Sequence, residues 1–340
     1  MNATTYGLDI AKQVFQMYWV DGQTGEIANR SFRRDELISF LARRSAGRVA
    51  VEACGSAHWW ARKIKALGHE VMLLHAKFIR PFVQTNKTDA ADARAIWTAA
   101  QQPGMRTVAA KTEDQQAMLV LHRMRSLLIK FRTMQVNQIR GLLYEFGVSF
   151  RPGRVAGLTE IRARMAELED ALPGVVTSSL QDQLRRIEGI EQDIEELEKK
   201  IGVWHRQEAA CHAIAEVPGI GKLTATALVA TIGDAKTFKS GREFASFLGL
   251  VPRQTGTGGK IRLGSISRRG DPYLRTLLIH GARSAMYHAK VPTAWQKAIQ
   301  ERRPANVAAV ALANKMARTA WAILAHGGTY DKHYVSIRPA

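Results

Sequence analysis

Alternation of apolar and polar residues over the first hundred positions predicts a sheet followed by alternating helices and strands. Strands are predicted at residues 4–9, 13–20 and 26–32, with the turn-forming "DGQTGE" between the second and third. The later predicted elements are a helix over 34–44, the strand "RVAVEA", a helix over 57–67, the strand "HEVMLLH" (69–75) and a helix pair ending near Gln101. Three antiparallel strands followed by this alternation is the order of an RNase H-like α/β fold.

Four acidic residues stand at informative places in that pattern. Asp9 and Glu52 each fall at a predicted strand end, and Asp89 and Asp92 lie at i and i+3 on one face of a helix start. Four such carboxylates could converge on a pocket for divalent cations, because hard cations such as Mg²⁺ prefer oxygen ligands and bridge phosphate groups. The alternative is four ordinary solvated acids.

The segment from Thr112 to Phe146 is predicted to be one basic helix. It has no acid between Asp114 and Glu145, and its basic residues are Arg123, Arg125, Lys130, Arg132 and Arg140. They form either a solvated helix face or a face that follows nucleic-acid phosphates.

A long helix with heptad spacing is predicted over 180–208. Its a and d positions are Leu180, Ile187, Ile190, Ile194, Leu197, Ile201 and Trp204. The spacing predicts a coiled coil and self-association. An antiparallel hairpin with residues 158–170 of the same chain is the alternative.

Two glycine-containing segments follow. "AEVPGIGKLTATALVATIG" has the pattern of a helix-hairpin-helix, in which Gly219, Gly221 and Lys222 would let the backbone approach a phosphate; the alternative is a plain turn. The stretch after "FASFLGLVPR" is predicted to be a flexible Gly-rich loop. Its basic residues, expected to neutralise phosphates, are Arg253, Lys260, Arg262, Arg268 and Arg269. Packed helices are predicted at 271–288 and 305–326.

Charge narrows the class of partner. The 340 residues include 49 Lys and Arg against 30 Asp and Glu, a net charge of +19, and the isoelectric point is about 10.3. This balance favours nucleic acid over an anionic membrane. No apolar run of eighteen residues and no signal pattern occur, and Cys54 and Cys211 lack metal-site spacing. We therefore expect a cytoplasmic, nucleoid-associated protein without a thiol mechanism.

These motifs together carry a family resemblance. In order, they are "GLDIAK", "VEACGS", "KTDAADAR", "VPGIGKLTA" and "FLGLVPRQ…GGKIRLGSISRRGDPYLR". They resemble the DEDD transposases of bacterial insertion sequences, the insertion sequence one-ten family, which is related to Piv-type DNA invertases and includes RNA-guided bridge recombinases. The resemblance covers almost the whole chain.

The resemblance implies three regions: a RuvC-like domain at 1–110, a basic helical and coiled-coil linker at 111–210, and a mostly helical C-terminal transposase domain at 211–340. It implies that Asp9, Glu52, Asp89 and Asp92 bind Mg²⁺ or Mn²⁺. It also implies donor and target DNA as substrates, and a noncoding guide RNA from the element that pairs with both. A homo-oligomer is implied, a dimer or a tetramer in the synaptic complex, whose composite site joins domains of two protomers.

The family is also implied to form a covalent link to DNA through a serine of the C-terminal domain. Here the spacing places Thr257 at that position, with Ser265 and Ser267 downstream as alternatives. A threonine hydroxyl can attack phosphorus, although its β-methyl group crowds the approach.

Other functions fit parts of the sequence. A RuvC-type endonuclease, a junction resolvase or a DNA invertase without guide RNA would use the carboxylates but not the hydroxyls. A non-enzymatic nucleic-acid-binding protein would need neither. An actin-like kinase would need glycine-rich phosphate turns, which residues 1–100 lack.

Overall fold

The computed structural model describes residues 3–84, 86, 88–289 and 291–332. The chain divides into two compact units. The sheet unit is Met1–Gln116 with Ala230–Glu243, and the helical unit is Ala117–Val229 with Phe244–Ala340.

Among the described residues up to Thr112, the sheet unit has six strands and four helices. The strands are β1 (Thr5–Ile10), β2 (Val14–Val20), β3 (Ile27–Arg33), β4 (Arg48–Glu52), β5 (Glu70–Leu74) and β6 (Thr107–Val108). The helices are α1 (Arg34–Ala42), α2 (Ala57–Ala66), α3 (Ala76–Ile79), which a 3₁₀ turn at Arg80–Phe82 extends, and α4 (Asp89–Ala100).

The six strands form one mixed sheet in the order β3-β2-β1-β4-β5-β6. β1, β2 and β3 are antiparallel, β1, β4 and β5 are parallel, and the short β6 is antiparallel to β5. The predicted order of strands and helices is confirmed, although β6 was not predicted.

Side chains on the two faces of the sheet form different cores. One face buries Leu8, Phe15 and Val51 with residues of α1 and α2. The other face buries Ala50 and Leu74 with α4. The sheet is therefore covered on both sides, as parallel strands require.

Helices dominate the rest of the chain, which confirms a mixed α/β N-terminal part and a mostly helical C-terminal part. They are α5 (Glu113–Tyr144), α6 (Arg154–Ala163), α7 (Met165–Ala171), α8 (Gly174–Gln207), α9 (Ala209–Ala215), α10 (Lys222–Ile232), α11 (Gly241–Phe247), α12 (Pro272–Tyr287), α13 (Ala294–Arg302) and α14 (Ala305–His326).

The heptad positions of α8 pack within the chain. Leu180, Leu184 and Ile187 share a core with residues of α5, α6 and α7. The ion pairs Arg125–Glu198 and Arg132–Glu191 show that α8 runs antiparallel to α5. This apolar seam is therefore occupied by the same chain. The alternative prediction, packing against residues 158–170 of the same chain, agrees with these contacts of α6 and α7. The helix that pairs with α8 over the greater length is α5.

The segment predicted as a flexible loop is a two-stranded ribbon, so that prediction was wrong. Strands β7 (Pro252–Thr257) and β8 (Lys260–Ile266) pair antiparallel. Gly258 and Gly259 between them have φ of 56° and 79°. Two consecutive left-handed residues make the turn whose twist matches an antiparallel pair, and glycine adopts them without strain.

Among the described residues, no helix has the length and apolar character needed to cross a membrane.

Candidate active site

Two of the predicted carboxylates lie side by side at the ends of adjacent parallel strands. Leu8 of β1 is level with Val51 of β4, so the next residues, Asp9 and Glu52, are neighbours across the strands. Because side chains alternate along a strand, both carboxylates lie on the face opposite Leu8 and Val51. Both are partly exposed.

Helix α4 packs directly on that face. An added Cβ at Gly7 would overlap the Ala93 carbonyl and the Trp97 amide. Trp97 Nε1 also donates a hydrogen bond to the Thr5 carbonyl at 3.0 Å. Gly7 lies two residues before Asp9 on the same face, so its missing side chain lets the helix lie on the strand that carries this carboxylate.

The first turn of α4 carries the other two carboxylates. Thr88 begins the helix, and its Oγ1 accepts a hydrogen bond from the Ala91 amide at 3.2 Å. Asp89 is exposed and Asp92 is partly buried. The free amides of a helix start attract negative charge, and both side chains lie in this first turn.

The chemistry of these donors fits a hard divalent cation, since all four are carboxylates. In the part of the chain that the structure describes, no three His, Cys, Asp or Glu side chains lie close enough together to hold an ion. The paired strands bring Asp9 and Glu52 together, whereas Asp89 and Asp92 are not gathered with them into one cluster among the described residues.

Cys54 gives a second indication that Asp9 and Glu52 share one location. Burial raises the pKa of its thiol, and the charges of Glu52 and Asp9 raise that pKa further. Burial also raises the pKa of Cys211 to about 12. Both thiols are therefore protonated at neutral pH, and neither has the thiolate that a nucleophile requires.

The five predicted phosphate-binding residues of α5 fall into two groups. Arg125 and Arg132 pair with glutamates of α8, and Arg140 donates to the carbonyls of Arg151 and Gly153. Arg123 and Lys130 are exposed. The second group is the one available to a phosphate backbone.

Sequence reasoning missed a buried histidine in the helical unit. His122 of α5 is only 1% exposed. Its Nε2 lies 3.0 Å from Thr226 Oγ1, and that hydroxyl donates to the Lys222 carbonyl at 2.8 Å. Nε2 therefore carries the proton, and Nδ1 accepts from the Tyr273 hydroxyl at 2.9 Å. Burial, with a smaller contribution from the nearby Arg125 charge, lowers the pKa of His122 to about 4.

We predict that His122 makes the helical unit acid-sensitive. Its folded pKa of about 4 lies below the ordinary 6.5, so the unfolded chain binds one more proton between these values and stability falls as pH falls through them. The full effect is about 3 kcal/mol, from about 1.4 kcal/mol per pKa unit. Melting temperature measured from pH 7.5 to pH 4 should show a smaller acid-induced drop in His122→Gln than in the parent.

His280→Gln is the matched control, because His280 is exposed on α12. It should retain the parent's pH dependence. Equal acid-induced drops in the parent and in His122→Gln would contradict the assignment of this effect to His122.

The ribbon β7–β8 has two chemically different faces. The pairs Thr255–Arg262 and Thr257–Lys260 lie on one face. The register is irregular between Pro252 and Gln254, but a Cβ added at Gly264, two residues after Arg262, would lie 3.9 Å from the Arg253 Cβ, which puts Arg253 on the same face. The opposite face carries Ile261 and Leu263, which are 64% and 67% exposed. We define the first as the basic face of the ribbon. Three of the predicted basic residues and the predicted nucleophile thus share one surface.

The three candidate hydroxyls differ in access. Thr257 is exposed at the last position of β7, beside the glycine turn, and Ser265 is exposed on β8. Ser267 Oγ is buried and has no hydrogen-bond partner among the described residues. Accessibility therefore favours Thr257 and Ser265.

The base of the ribbon contains a strained residue. Arg268 has φ of 53°, and its amide donates to the Gly249 carbonyl at 3.3 Å. A Cβ at Gly249 would overlap the backbone of Arg268 to Gly270. This tight contact holds Arg268 and Arg269, both exposed, in a fixed backbone path.

The segment predicted to be a helix-hairpin-helix contains α9, a turn and α10. Gly219 has φ of 93°, and a Cβ there would overlap the Gly281 carbonyl, so this glycine is needed for packing. Gly221 has open space around it and Lys222 is exposed. Gly221 immediately precedes α10 and Lys222 is its first residue, and these two are the exposed part of the segment, where a phosphate could approach.

A second heptad seam, not identified from the sequence, lies on α5. We define the α5 seam as Val120, Met124, Leu127, Phe131 and Met134, which are spaced alternately four and three residues apart and are 44–56% exposed. Residues facing into the chain, such as Met118 and His122, lie two positions away and so nearly opposite on the helix. The alternating spacing of four and three residues could be seen in the sequence, whereas the solvent exposure of these side chains could not.

Comparisons with known proteins assign the chain to a family. A family model described as "Transposase" matches residues 6–147, and one described as "Transposase IS116/IS110/IS902 family" matches residues 211–298. The chain is 44% identical over 335 residues to the "Probable family 20 transposase" of Pseudomonas aeruginosa, which covers 97% of this chain and 99% of that protein.

Two further relatives extend the comparison. The "Transposase for insertion sequence element IS1111A" of Coxiella burnetii is 39% identical over 332 residues, or 95% of this chain and 90% of that protein. The "Pilin gene-inverting protein" of Moraxella lacunata is 31% identical over 124 residues, or 35% of this chain and 38% of that protein.

Proposed function

We propose that this chain cuts and rejoins DNA at carboxylates that hold a divalent cation. The chain belongs to the IS116/IS110/IS902 family of transposases and is the DNA transposase of an insertion sequence. In this proposal the Thr257 hydroxyl forms a covalent link to the DNA.

The placement of Asp9 and Glu52 carries the proposal. They are neighbours at the ends of two parallel strands, below the helix whose first turn carries Asp89 and Asp92. A bound Mg²⁺ or Mn²⁺ would stabilise the negative charge that develops on phosphoryl oxygens. The four carboxylates would hold that ion.

The covalent step needs an accessible hydroxyl, and Thr257 supplies one. Its Oγ1 would attack phosphorus, forming a threonine–phosphate ester while the bond from phosphorus to one deoxyribose oxygen breaks. The threonine hydroxyl would lose its proton to water, and the departing deoxyribose oxygen would take up a proton from water. A hydroxyl of another DNA strand would reverse the step, so rejoining would need no external energy source.

Basic residues would neutralise the DNA backbone around that phosphate. Arg253, Lys260 and Arg262 share the basic face of the ribbon with Thr257. Arg268 and Arg269 follow at the ribbon's base, and the Gly221–Lys222 amides could bind a neighbouring phosphate.

We further propose donor and target DNA and an element-encoded noncoding guide RNA as partners, in the cytoplasm at the nucleoid. The net charge of +19 and the exposed Arg123 and Lys130 support a polyanion. Base pairing between the guide RNA and the DNA would then select the sequence, so the protein would not need a helix that reads bases.

A homo-oligomer is part of the proposal, and the α5 seam is the surface we assign to it. The α8 seam is already occupied within the chain. The α5 seam has coiled-coil spacing over fifteen residues and is about half exposed at every position. Two copies of α5 would cover it.

The double variant Leu127→Lys/Phe131→Lys should shift the oligomer to monomer. Each apolar contact is worth about 1–2 kcal/mol and occurs twice in a dimer, so the dissociation constant should rise at least about 100-fold. Molar mass from light scattering over a concentration series measures this shift.

Ser126→Lys/Thr133→Lys is the control, since both residues are exposed on α5 outside the seam. It adds the same charge and should keep the parent mass. An unchanged mass in the seam variant would show that another surface assembles the protein.

Strand cleavage tests the proposal as a whole. The full-length protein, with and without RNA transcribed from the DNA flanking its reading frame, is incubated with labelled DNA carrying the element's ends, in Mg²⁺ or in EDTA. Mg²⁺-dependent cleavage accompanied by a protein–DNA adduct is expected. Cleavage without adduct would instead indicate a hydrolytic nuclease, and RNA-independent rejoining would indicate an invertase-like enzyme.

A further inference from the structure

A row of polar side chains crosses four strands of the sheet at the level of the carboxylates. Asp9 is paired with Gln16, and Gln16 is paired with Ser31. On the other side of Asp9 lies Glu52. Cross-strand neighbours share a face, so Glu52, Asp9, Gln16 and Ser31 form one line beneath α4.

Hydrogen bonds continue this row to the helix above it. Ser31 Oγ donates to Gln16 Oε1 at 2.7 Å, and Gln16 Nε2 donates to Asn29 Oδ1 at 2.6 Å. Asn29 Nδ2 then donates to the Ala90 carbonyl at 3.1 Å. Each side chain in this series donates to the next, so the Asn29 oxygen must face Gln16 and its nitrogen must face Ala90. The series therefore fixes the amide orientation of Asn29.

Polar and close backbone contacts hold α4 on the sheet together with its apolar packing, and the Asn29 bond lies at the turn that carries Asp89 and Asp92. The Gly7 contact lies at Ala93, and the Trp97 bond to Thr5 lies further toward the helix end. The Asn29 bond reaches Ala90, between the two aspartates in sequence.

We propose that Asn29, oriented by Gln16 and Ser31, is a positioning residue that fixes the first turn of α4 over Asp9 and Glu52 and so sets the affinity for the divalent cation. The inference rests on the proposed metal site. In that site the carboxylates on the helix and on the strands would repel one another, which would favour an outward movement of the first turn. The Asn29 bond opposes that movement before the cation arrives.

The test measures cation affinity without DNA. Mn²⁺ is titrated into the full-length protein, and the free ion is quantified by electron paramagnetic resonance. Asn29→Ala should raise the dissociation constant about five- to tenfold, equivalent to one neutral hydrogen bond. Gln16→Ala, which leaves Asn29 without its orienting donor, should give a smaller rise. Hydrogen exchange should quicken at residues 89–93 in Asn29→Ala.

Trp97→Phe is the matched control. It also removes one hydrogen bond from α4 to the sheet, but at the other end of the helix, and keeps an aromatic ring against Tyr18. Its Mn²⁺ affinity should stay within about twofold of the parent, because the neutral bond it loses does not hold the carboxylate-bearing turn.

The outcomes separate this inference from the proposed function. An Asn29→Ala affinity equal to that of the parent, with Mn²⁺ binding lost in Asp9→Asn, would overturn the positioning role and leave the metal site standing. If Trp97→Phe and Asn29→Ala weakened Mn²⁺ binding equally, Asn29 would only help to hold the helix on the sheet, and its positioning role would also be overturned. Mn²⁺ binding that survives Asp9→Asn would refute the metal site itself.

Discussion

Asp9→Asn should reduce strand cleavage in Mg²⁺ by at least about 10³-fold, because loss of a metal ligand forfeits several kcal/mol of charge stabilisation in the transition state. Asparagine keeps the size of the side chain and removes only the charge. Asp9 lies beside Glu52 on the α4 face, where neither carboxylate contributes to the apolar core. Folding should therefore be unchanged, as circular dichroism and melting temperature would show, while the cleavage rate collapses.

Asp35→Asn is the control for the change of charge. Asp35 is an exposed first-turn acid of α1, a helix that packs on the opposite face of the sheet. Its variant should cleave at the parental rate. Parental cleavage by Asp9→Asn would favour a nucleic-acid-binding protein that keeps the fold without the chemistry.

Exchanging the ligand type would distinguish a metal ligand from a structural acid. Asp9→Cys should be inactive in Mg²⁺ and regain part of its cleavage in Mn²⁺ or Cd²⁺, because a thiolate binds softer cations better than Mg²⁺. A general electrostatic role for Asp9 would give no such dependence on the metal. Inactivity of Asp9→Cys in every cation, with its fold intact, would weaken the ligand assignment.

The strands of the sheet and the positions of two carboxylates along them could be predicted because their signals are local. Alternation located β1 and β4 and placed Asp9 and Glu52 near their ends, whereas the parallel pairing that makes these residues neighbours is seen only in the structure. The i and i+3 spacing likewise placed Asp89 and Asp92 in one turn of α4. Local pattern was sufficient here.

Contacts between distant segments could not be predicted in the same way. Asn29 and Ala90 are 61 residues apart, and His122 and Tyr273 are 151 apart. No spacing rule links such pairs. The heptads of α8 likewise indicated a seam without naming its partner, because a free copy and a neighbouring helix satisfy the same pattern.

The ribbon shows how composition can conceal a local signal. Gly258 and Gly259 between residues that can alternate are a hairpin pattern. The surrounding glycines, hydroxyls and basic residues are equally typical of a flexible loop, and that interpretation was wrong. The strand structure matters for the proposed reaction, because the pairing and alternation of β7 and β8 place Thr257 on the same face as Lys260 and Arg262.

Thr257→Ala should abolish the covalent protein–DNA adduct, by at least about 10³-fold, because no other group can form the ester if this hydroxyl is the nucleophile. The adduct is measured as labelled DNA that migrates with protein on a denaturing gel, and the joined peptide is identified by mass spectrometry. Thr255→Ala is the matched control. Thr255 carries the same hydroxyl two residues earlier on the same exposed face, so its variant should form the adduct normally.

Ser265→Ala and Ser267→Ala complete the series. Ser265 is exposed, so loss of the adduct in its variant alone would move the nucleophile to that residue. Ser267 Oγ is buried, so its variant should keep the adduct unless the ribbon base rearranges. Undiminished cleavage without adduct in all three variants would replace the covalent mechanism by hydrolysis.

The β-methyl group of Thr257 allows a second test of Thr257 as the nucleophile, with a variant that should keep or increase adduct formation. Thr257→Ser keeps the hydroxyl and removes the methyl group that crowds the approach to phosphorus. The residue lies exposed at the end of its strand. Adduct formation in Thr257→Ser should therefore equal or exceed that of the parent. A structural threonine would show no such separation, because there serine and alanine would have similar effects.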